Sequence, residues 1–400
     1  MIDFDPYDYA FHEDPYPLYA RLRSEAPVYH NEAMGFWALS RHADVLRGFK
    51  DTEAFSNRAG VSLDQRQVAD TEATMFILAM DPPRHAKFRA LVSRAFTGRR
   101  VDLLEPRIRE IARAHAERAV ERAAATGGCD YIHDFAGKLP MDVISEMLGV
   151  PADDRDELRA WADAVMHRED GRAGIPPAAL QASAKLLQYF AKLVDERRRR
   201  PGDGLVEALL EAEVDGDRLT DRNVISFLFL MIIAGNETTT KLLANALYWI
   251  SRFPDARRAV EGDPSLVPQW VEETLRFDNS SQILGRITTR DVSVRDTTIP
   301  KGERVLLLVG AANRDPDVFA DPDRFDLARD TSESLSFGKG VHFCLGARLA
   351  RLEGRIGLET TLEHFPRFEI DDAGLERVHS TNVRGFARMP IRFAKRGTPR

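Results

Sequence analysis

The clearest chemical signal in the sequence is a glycine-rich segment, residues 336–346, that contains Cys344. Two glycines, two positions apart, predict a tight turn with positive φ angles before the cysteine. A helix is predicted to follow from 345 to 359, so the thiol would face free backbone N–H groups and the positive end of a helix dipole. Both would stabilise a thiolate, and His342 would add a further donor. The segment therefore favours a metal-ligating or nucleophilic thiolate over an inert buried cysteine, although nothing around His342 resembles the nucleophile elbow of a protease.

A second signal lies in a long apolar stretch, where the sequence reads Ala234-Gly235-Asn236-Glu237-Thr238-Thr239. Glycine followed by consecutive threonines disfavours a helix, and an acid directly after an apolar run needs a reason. One interpretation is structural: the glycine is a packing point, and a threonine bonds back to a backbone carbonyl. The residues alone leave a functional role for the acid and the hydroxyl open.

Two pairs of charged residues have helical spacing. His85 and Arg89 are four positions apart after a Pro82-Pro83 helix start, so two cationic donors on one face could meet two carboxylates. Glu273 and Arg276 are three positions apart and could form an ion pair. A solvated basic face and an ordinary surface ion pair are the plain alternatives.

The composition limits the class of protein. The chain has 400 residues, of which 44% are hydrophobic and 30% charged, which is typical of a globular protein. Its net charge of −7 argues against a nucleic-acid binder, whose phosphate contacts need a basic face. Two cysteines exclude a disulfide scaffold and a cysteine-rich zinc module, and they suit a reducing compartment. Cys129, which follows two glycines in a predicted loop, is interpreted as structural.

The sequence shows no targeting or membrane signal. Its N-terminus lacks the basic start and apolar core of a signal peptide. The longest apolar run, 227–234, is far shorter than the about 20 residues that a membrane span needs. We therefore expect a soluble, cytoplasmic protein without a membrane anchor.

The elements that would position these residues are mostly helices. The central one is a helical stretch at 221–253 with Thr220 as its N-cap, and at 1.5 Å per residue it would span roughly 50 Å. Other helices are predicted at 15–26, 41–49 with Ser40 as N-cap, 81–96, 99–125 where Pro106 can introduce a break, 140–148, 153–167, 177–198, 203–213 and 268–277. Strands are predicted at 28–29, 35–39, 286–294, 304–309 and 390–393. The predicted fold class is mainly α with a small β component.

The cysteine segment carries a family resemblance. Phe337-Gly338-x-Gly340-x-His342-x-Cys344-x-Gly346 resembles the haem-binding loop of cytochromes P450 at every specified position. The resemblance implies that Cys344 is the proximal thiolate ligand of the iron in haem b, where thiolate pushes electron density onto the metal and favours O–O cleavage. It places Phe337, Gly338 and Gly346 in the cofactor site, because the glycines let the backbone approach the porphyrin.

Further motifs follow in the family's order. Glu273 and Arg276 resemble the Glu-x-x-Arg pair that locks a helix against the segment before the cysteine, and Arg324 looks like the third member of that network. The implied partners of the haem propionates are His85, Arg89, Arg286 and His342.

The stretch around Glu237 resembles the family's oxygen-activation motif, whose distortion opens a groove over the haem. The small Ala234 and Gly235 would leave room for O2. Thr238 would donate a hydrogen bond during oxygen activation, and Glu237 would supply protons from solvent.

The resemblance implies a cytochrome P450 fold: a single large domain over residues 1–400, with haem buried between the long central helix and the cysteine segment. Length alone favours roughly two to three domains, but residues from His85 to Cys344 must converge on one cofactor. The implied activity is a monooxygenase that uses O2 and two electrons to hydroxylate or epoxidise a largely apolar substrate, such as a steroid, terpenoid, fatty acid or macrolide. Phenol coupling, peroxygenation and a haem-binding sensor without turnover are the alternatives.

The chain has no flavin-binding or iron–sulfur motif, so electrons would come from a separate ferredoxin and its reductase. Candidate basic residues for docking an acidic partner are Arg94, Arg99, Arg100, Lys339, Arg348 and Arg351. By analogy with the family, the substrate pocket would include segments 58–80 and 165–180 and the residues Phe227, Leu230, Met231, Ile283, Leu284 and Val383.

Overall fold

The computed structural model describes residues 2–64, 70–202, 204–214, 216–365 and 367–393, and these are mainly helical, as predicted. The helices are α1 (Tyr9–Glu13), α2 (Tyr16–Glu25), α3 (His42–Lys50), α4 (Thr71–Met75), α5 (Arg84–Ala95), α6 (Gly98–Asp102), α7 (Glu105–Thr126), α8 (Lys138–Leu148), α9 (Arg155–Met166), α10 (Pro177–Arg199), α11 (Leu205–Glu211), α12 (Asp221–Arg252), α13 (Pro254–Gly262), α14 (Val267–Phe277), α15 (Val309–Ala312) and α16 (Ala347–His364). The strands are β1 (Val28–Asn31), β2 (Phe36–Leu39), β3 (Phe55–Ser56), β4 (Gly128–Asp130), β5 (Glu213–Val214), β6 (Asp217–Arg218), β7 (Ile283–Thr288), β8 (Val292–Val294), β9 (Thr297–Ile299), β10 (Arg304–Leu308), β11 (Phe368–Ile370), β12 (Glu376–Arg377), β13 (Phe386–Arg388) and β14 (Pro390–Phe393).

Helix α12 is the long central helix that the sequence predicts. A capping box starts it: the Thr220 side chain accepts from the Asn223 N–H, and the Asn223 side chain accepts from the Thr220 N–H. The helix packs against α8, α10, α14 and α16, and Pro254 begins the next helix directly after it. Among the described residues it is the one helix long and apolar enough to cross a membrane, and 72% of its apolar window is buried inside the structure.

The largest sheet places β7 next to the interior. Its strand order is β1-β2-β10-β7-β3, and β10 runs parallel to β2 and antiparallel to β7. Because successive side chains of a strand point to opposite faces, Ile283 packs into a cluster with Tyr19 and Leu308, whereas Leu284 points the other way. The prediction of one strand over 286–294 is wrong, since β7 ends at Thr288 and the next residues, as β8, pair with β9.

The helix boundaries near Pro106, Ser40 and the cysteine segment can be compared with the predictions. The break that the sequence allows at Pro106 is present: α6 ends at Asp102 and α7 begins at Glu105, so Pro106 occupies the first turn of a new helix, where its missing N–H costs nothing. Ser40 is not the N-cap of α3; its hydroxyl donates to the Pro27 carbonyl at 3.4 Å. The helix predicted at 345–359 is α16, which begins two residues later and ends five residues later.

A buried carboxylate ties distant parts of the chain to the end of α14. Asp278 accepts hydrogen bonds from the Tyr16 hydroxyl at 2.5 Å and from the Trp249 indole N–H at 2.7 Å. Arg384 Nε donates to the same carboxylate at 2.8 Å. Burial acts to raise the pKa of Asp278 and is the largest single effect. The guanidinium groups of Arg384 and Arg377 and the hydrogen bonds from Tyr16 and Trp249 together outweigh it and hold this pKa below its ordinary value. The network fixes α2, α12 and the C-terminal segment around one charge.

Replacing Asp278 by Asn should therefore destabilise the fold by about 3–5 kcal/mol, because Arg384 would remain buried without its counter-charge. The folded pKa is depressed, so the carboxylate's contribution is present above the unfolded pKa and is lost as pH falls through the folded value. Urea unfolding at neutral and acidic pH should show a smaller pH dependence in Asp278→Asn than in the wild type. The exposed Asp255 on α13 is the control, and an Asp255→Asn loss of similar size would contradict this account.

Candidate active site

A cavity lies between α12 and the cysteine segment, and it collects most of the residues singled out in the sequence. The space free of protein atoms within it, including its open mouth, is about 1500 Å³. The predicted site residues on its wall are Arg89, Phe227, Leu230, Met231, Ala234, Gly235, Thr238, Leu284, Arg286, Phe337, Gly338, His342, Cys344 and Gly346.

The cysteine segment is a tight turn held by its own backbone. The Cys344 N–H donates to the Phe337 carbonyl at 2.9 Å, which closes the turn. Gly338 and Gly340 have φ angles of +68° and +75°, the left-handed region that glycine adopts without strain. A Cβ at Gly340 would also lie 3.1 Å from the Phe49 carbonyl oxygen. Both glycines are therefore required by the turn, as the sequence predicts.

The Cys344 thiol sits just before α16, and opposing effects act on its pKa. Burial raises the pKa and has the largest effect. The backbone N–H groups of Gly346 and Ala347 and the guanidinium groups of Arg89 and Arg351 act in the opposite direction. The N–H groups at the helix start favour the thiolate, as predicted, but burial has the larger effect on the pKa of Cys344 in the protein alone. Coordination to a metal would supply the remaining stabilisation of the thiolate.

A patch of buried nitrogen donors lies at one side of the cavity. Arg286 is buried, its Nη1 donates to the neighbouring Gly285 carbonyl at 2.7 Å, and no carboxylate among the described residues lies within ion-pairing distance. Burial lowers its pKa to about 10. Neither ring nitrogen of the buried His85 has a hydrogen-bond partner in the described parts of the chain. The His342 ring lies 4.1 Å from it, centroid to centroid.

Buried donors of this kind need acceptors, and a buried guanidinium needs a counter-charge. The two propionates of haem would supply both, so Arg286, His85 and His342 fit the cofactor that the resemblance implies. Arg89 belongs to the same region, but its Nη2 donates to the Phe343 carbonyl at 2.8 Å and so ties α5 to the cysteine segment.

Thr238 faces the cavity from α12. Its Oγ1 donates to the Ala234 carbonyl at 2.7 Å, and its own carbonyl accepts from the Ser280 hydroxyl at 2.7 Å. The helix runs through this motif without interruption, so the distortion expected from the resemblance does not break it. The structural interpretation of this motif, a hydrogen bond from Thr238 back to a backbone carbonyl, is therefore present. Thr238 also lines the cavity.

Glu237 points away from this cavity into a different surrounding. Its side chain is only 5% exposed and lies 3.3 Å from Lys241 Nζ, one helical turn later. The Asp163 carboxyl on α9 lies close enough to share a hydrogen bond with it when one of the two groups is protonated. Burial acts to raise the pKa of Glu237, but Lys241 and the bond to Asp163 hold it below its ordinary value. Sequence reasoning missed both partners; the Lys241 spacing could have indicated one, whereas nothing local indicates Asp163.

Glu353 on α16 is a further cavity residue that the sequence analysis missed. It is buried on the cavity wall and hydrogen-bonds to Thr239. Burial raises the pKa of Glu353 well above its ordinary value and so favours its neutral form.

The helix before the cysteine segment is anchored by an ion-pair network around Glu273. Arg276 Nη2 lies 2.7 Å from Glu273 Oε1, and both side chains are almost fully buried. The prediction of Arg324 as the third member is wrong: its side chain is 69% exposed, and only its carbonyl takes part. Arg329 fills the place, with Nε 3.3 Å from Glu273 Oε1 and a side chain 10% exposed.

This network continues to the cysteine segment through polar side chains. Asn313 accepts from the Leu335 N–H at 2.8 Å and donates to the Ser336 hydroxyl at 2.8 Å. Ser336 in turn donates to the Leu275 carbonyl on α14 at 2.5 Å. The start of the segment is therefore fixed to the helix that carries Glu273.

Two predicted pocket residues and the whole predicted segment 165–180 do not line the cavity; part of that segment lines a separate cavity instead. Ile283 faces the opposite side of β7 from Leu284, as the strand period requires. Val383 lines a separate cavity on the far side of α12. Of the predicted segment 58–80, Val61, Ile77 and Leu78 reach the cavity wall, and residues 65–69 lie outside the described residues.

Two of the arginines predicted to dock an acidic partner already form ion pairs within the chain. Arg348 Nε lies 2.7 Å from Asp102, and Arg351 Nε lies 2.5 Å from Glu272. Their charges are therefore partly neutralised within the chain.

Arg329 and Arg324 offer a matched test of the Glu273 network. Arg329→Ala should cost about 3 kcal/mol and weaken haem retention, because a buried ion-pair partner is lost next to the cysteine segment. Arg324→Ala should change stability by no more than about 0.5 kcal/mol, as expected for a surface side chain. Thermal unfolding and the haem-to-protein absorbance ratio of both variants measure this. Equal losses in the two variants would contradict the assignment.

The chain is similar to known proteins over nearly its whole length. The family profile described as Cytochrome P450 matches residues 265–393. A Mycobacterium tuberculosis protein described as cytochrome P450 123 is 56% identical over 97% of this chain and 96% of its own length. Vitamin D(3) 25-hydroxylase of Pseudonocardia autotrophica is 40% identical over 98% of this chain and 97% of its own. The crystal structure of CYP109E1 from Bacillus megaterium in complex with corticosterone has a TM-score of 0.83 at 30% identity, covering 96% of this chain and 99% of that one.

Proposed function

The chain belongs to the cytochrome P450 family and is a cytochrome P450 monooxygenase with that fold, and from this premise we propose that it hydroxylates an apolar substrate of steroid size. The observation that carries the proposal is the cavity wall opposite Cys344. Phe227, Leu230 and Met231 line it from α12, and Leu284 lines it from β7. Their side chains offer an apolar surface on two sides, which suits a rigid, largely hydrocarbon ring system.

The relatives support this substrate class. One relative is named a vitamin D(3) 25-hydroxylase, and CYP109E1 was solved with corticosterone. The wall also carries a few polar groups, among them Asn279 and Ser281, which can orient a hydroxyl or keto group.

We propose that the cofactor is haem b, with Cys344 as its iron ligand. Arg286, His85 and His342 would hold the propionates, with Arg89 beside them, and Phe337, Gly338 and Gly346 would bring the backbone close. When bound, the haem supplies the activation of O2 by two electrons delivered from a redox partner.

The remaining work falls to side chains of α12. Ala234 and Gly235 keep this part of the cavity wall small, and Thr238 presents its hydroxyl oxygen there while its hydrogen is held by the Ala234 carbonyl. We assign Thr238 the role of accepting and passing a proton at this oxygen, and Glu237 the role of holding that proton beforehand. The apolar wall excludes water, which limits side reactions that would consume electrons without forming product.

The same reasoning extends to partners and place. A ferredoxin with its reductase would donate electrons through the basic residues near Cys344, of which Lys339 and Arg99 are examples. Because α12 is largely buried inside the structure, it is a core helix, and the likeness to bacterial relatives supports a protein of the cytoplasm. Residues from Arg89 to Gly346 line one cavity, which supports treating 1–400 as a single domain.

A ligand panel tests the substrate class. Testosterone, a vitamin D analogue, a terpene, a long-chain fatty acid and a macrolide are titrated into the ferric holoprotein, followed by the Soret shift and by product formation with surrogate partners. Steroids should bind most tightly and yield hydroxylated product. Leu230→Ala should weaken steroid binding about 10-fold through lost apolar contact. Ile233→Ala, on the same helix but off the described cavity wall, should not. A fatty acid or macrolide that outcompetes every steroid would overturn the proposal.

A further inference from the structure

A second cavity, whose space free of protein atoms including its open mouth is about 1390 Å³, lies on the far side of α12 from the substrate cavity. Its wall is formed by α9, the start of α10, α12 and the segment 376–387 near the C-terminus. Neighbouring residues of α12 line different cavities. Thr238 lines the first cavity, whereas Glu237, and Lys241 one turn later, line the second. Neighbouring helix positions point about 100° apart, so α12 is the wall between two chambers.

Two carboxyl groups meet in this second cavity. Asp163 of α9 and Glu237 of α12 both line this cavity, and their carboxyl groups lie close enough to share a hydrogen bond when one of the two is protonated. The two differ in their access to water: Glu237 is almost completely buried, whereas Asp163 exposes its side chain and lines the cavity. A carboxyl that water reaches is therefore bonded to a carboxyl that water does not reach.

Two hydrogen-bonded carboxyl groups must hold a proton between them, because two adjacent negative charges repel. Lys241 Nζ lies 3.3 Å from Glu237, and Asn236 Nδ2 donates to Glu237 Oε1 at 3.4 Å. These contacts favour the charge on Glu237, whose pKa is lowered. Partial desolvation and the contact with Glu237 raise the pKa of Asp163. The pair thus carries one proton, and it resides on Asp163.

The other charged groups of the cavity do not displace this proton. Arg159, one turn earlier on α9, favours ionisation of both carboxyls but less than the nearer groups do. His167 lies at the end of α9, and Glu376, Arg377 and His379 line the wall from the C-terminal segment. None of these four is among the main influences on the pKa of Asp163 or Glu237.

We propose that Asp163 is a positioning residue that holds Glu237 on the second cavity and loads it with a proton taken from water there. The Asp163 O–H bond breaks as the Glu237 O–H bond forms. Glu237 then releases this proton towards Thr238, and Asp163 regains one from the cavity water, so one proton crosses α12 and no electron moves. This rests on the proposed roles of Thr238 and Glu237.

The test compares Asp163→Asn with the wild-type holoprotein. Asparagine keeps the shape and can still hydrogen-bond to Glu237, but it carries no transferable proton. Infrared spectra of the resting ferric protein should show a protonated carboxyl that titrates well above an ordinary aspartate and disappears in Asp163→Asn. The signal of Glu353, whose neutral form burial also favours, should remain. Survival of the titrating band in the variant would overturn the proposal.

Turnover gives the second readout. Because Asp163 has a raised pKa, the loaded pair is present at low pH and is lost as pH rises through that pKa, so coupling of NAD(P)H use to product should fall on the alkaline side. Asp163→Asn should reduce coupling about 10-fold or more and abolish this alkaline decline. Asp163→Glu, which restores a carboxyl, should recover part of the coupling. Unchanged coupling in Asp163→Asn would refute the relay.

Two further variants separate the possible failures. Glu157→Gln, an exposed acid on the same helix, should leave both readouts unchanged; if it matches Asp163→Asn, a general charge effect replaces the proposal. Thr238→Ala should uncouple NAD(P)H use whatever the proton source. If Thr238→Ala stays coupled, the proposed function of the site fails; if it uncouples while Asp163→Asn does not, only the role of Asp163 fails.

Discussion

The whole arrangement depends on holding one sulfur atom at a cavity whose wall is otherwise apolar. Cys344 is half-buried there, and the removal of its thiol from water raises the thiol pKa. The backbone N–H groups at the start of α16 and the nearby arginines act against this, and coordination to the haem iron, as we propose, would complete the change. The turn that presents the sulfur must therefore be rigid, which explains the two left-handed glycines and the chain of bonds from Ser336 to α14.

The central helix has two distinct faces. One face presents small and apolar residues and the Thr238 hydroxyl to the substrate cavity, whereas the other presents Glu237 and Lys241 to a polar cavity. A buried acid is costly unless it is paired, and Glu237 is paired twice, with a cation and with a second carboxyl. In the relay that we propose, this separation would let one helix keep water away from the substrate while it retains a supply of protons.

Features encoded by local patterns could be predicted from the sequence. The Thr220 cap, the span of α12 and the glycine turn before Cys344 depend on neighbouring residues, and each is present. Features that depend on distant contacts could not. Arg324 and Arg329 lie on the same loop, and only tertiary packing decides which one turns inward to Glu273. Asp163 meets Glu237 only because α9 packs on α12. The predicted strand begins at 286 rather than at Ile283, so the face of β7 that Ile283 occupies could not be predicted.

The most direct measurement of the central claim is the absorption spectrum of the reduced holoprotein with CO bound. The wild type should show the Soret band typical of a thiolate ligand, and Cys129→Ser, which changes the other cysteine, should retain it. Cys344→Ser should lose this band while remaining folded. A thiolate-type band that persists in Cys344→Ser, or that is absent from the wild type, would contradict the assignment of Cys344 on which the account of this site depends.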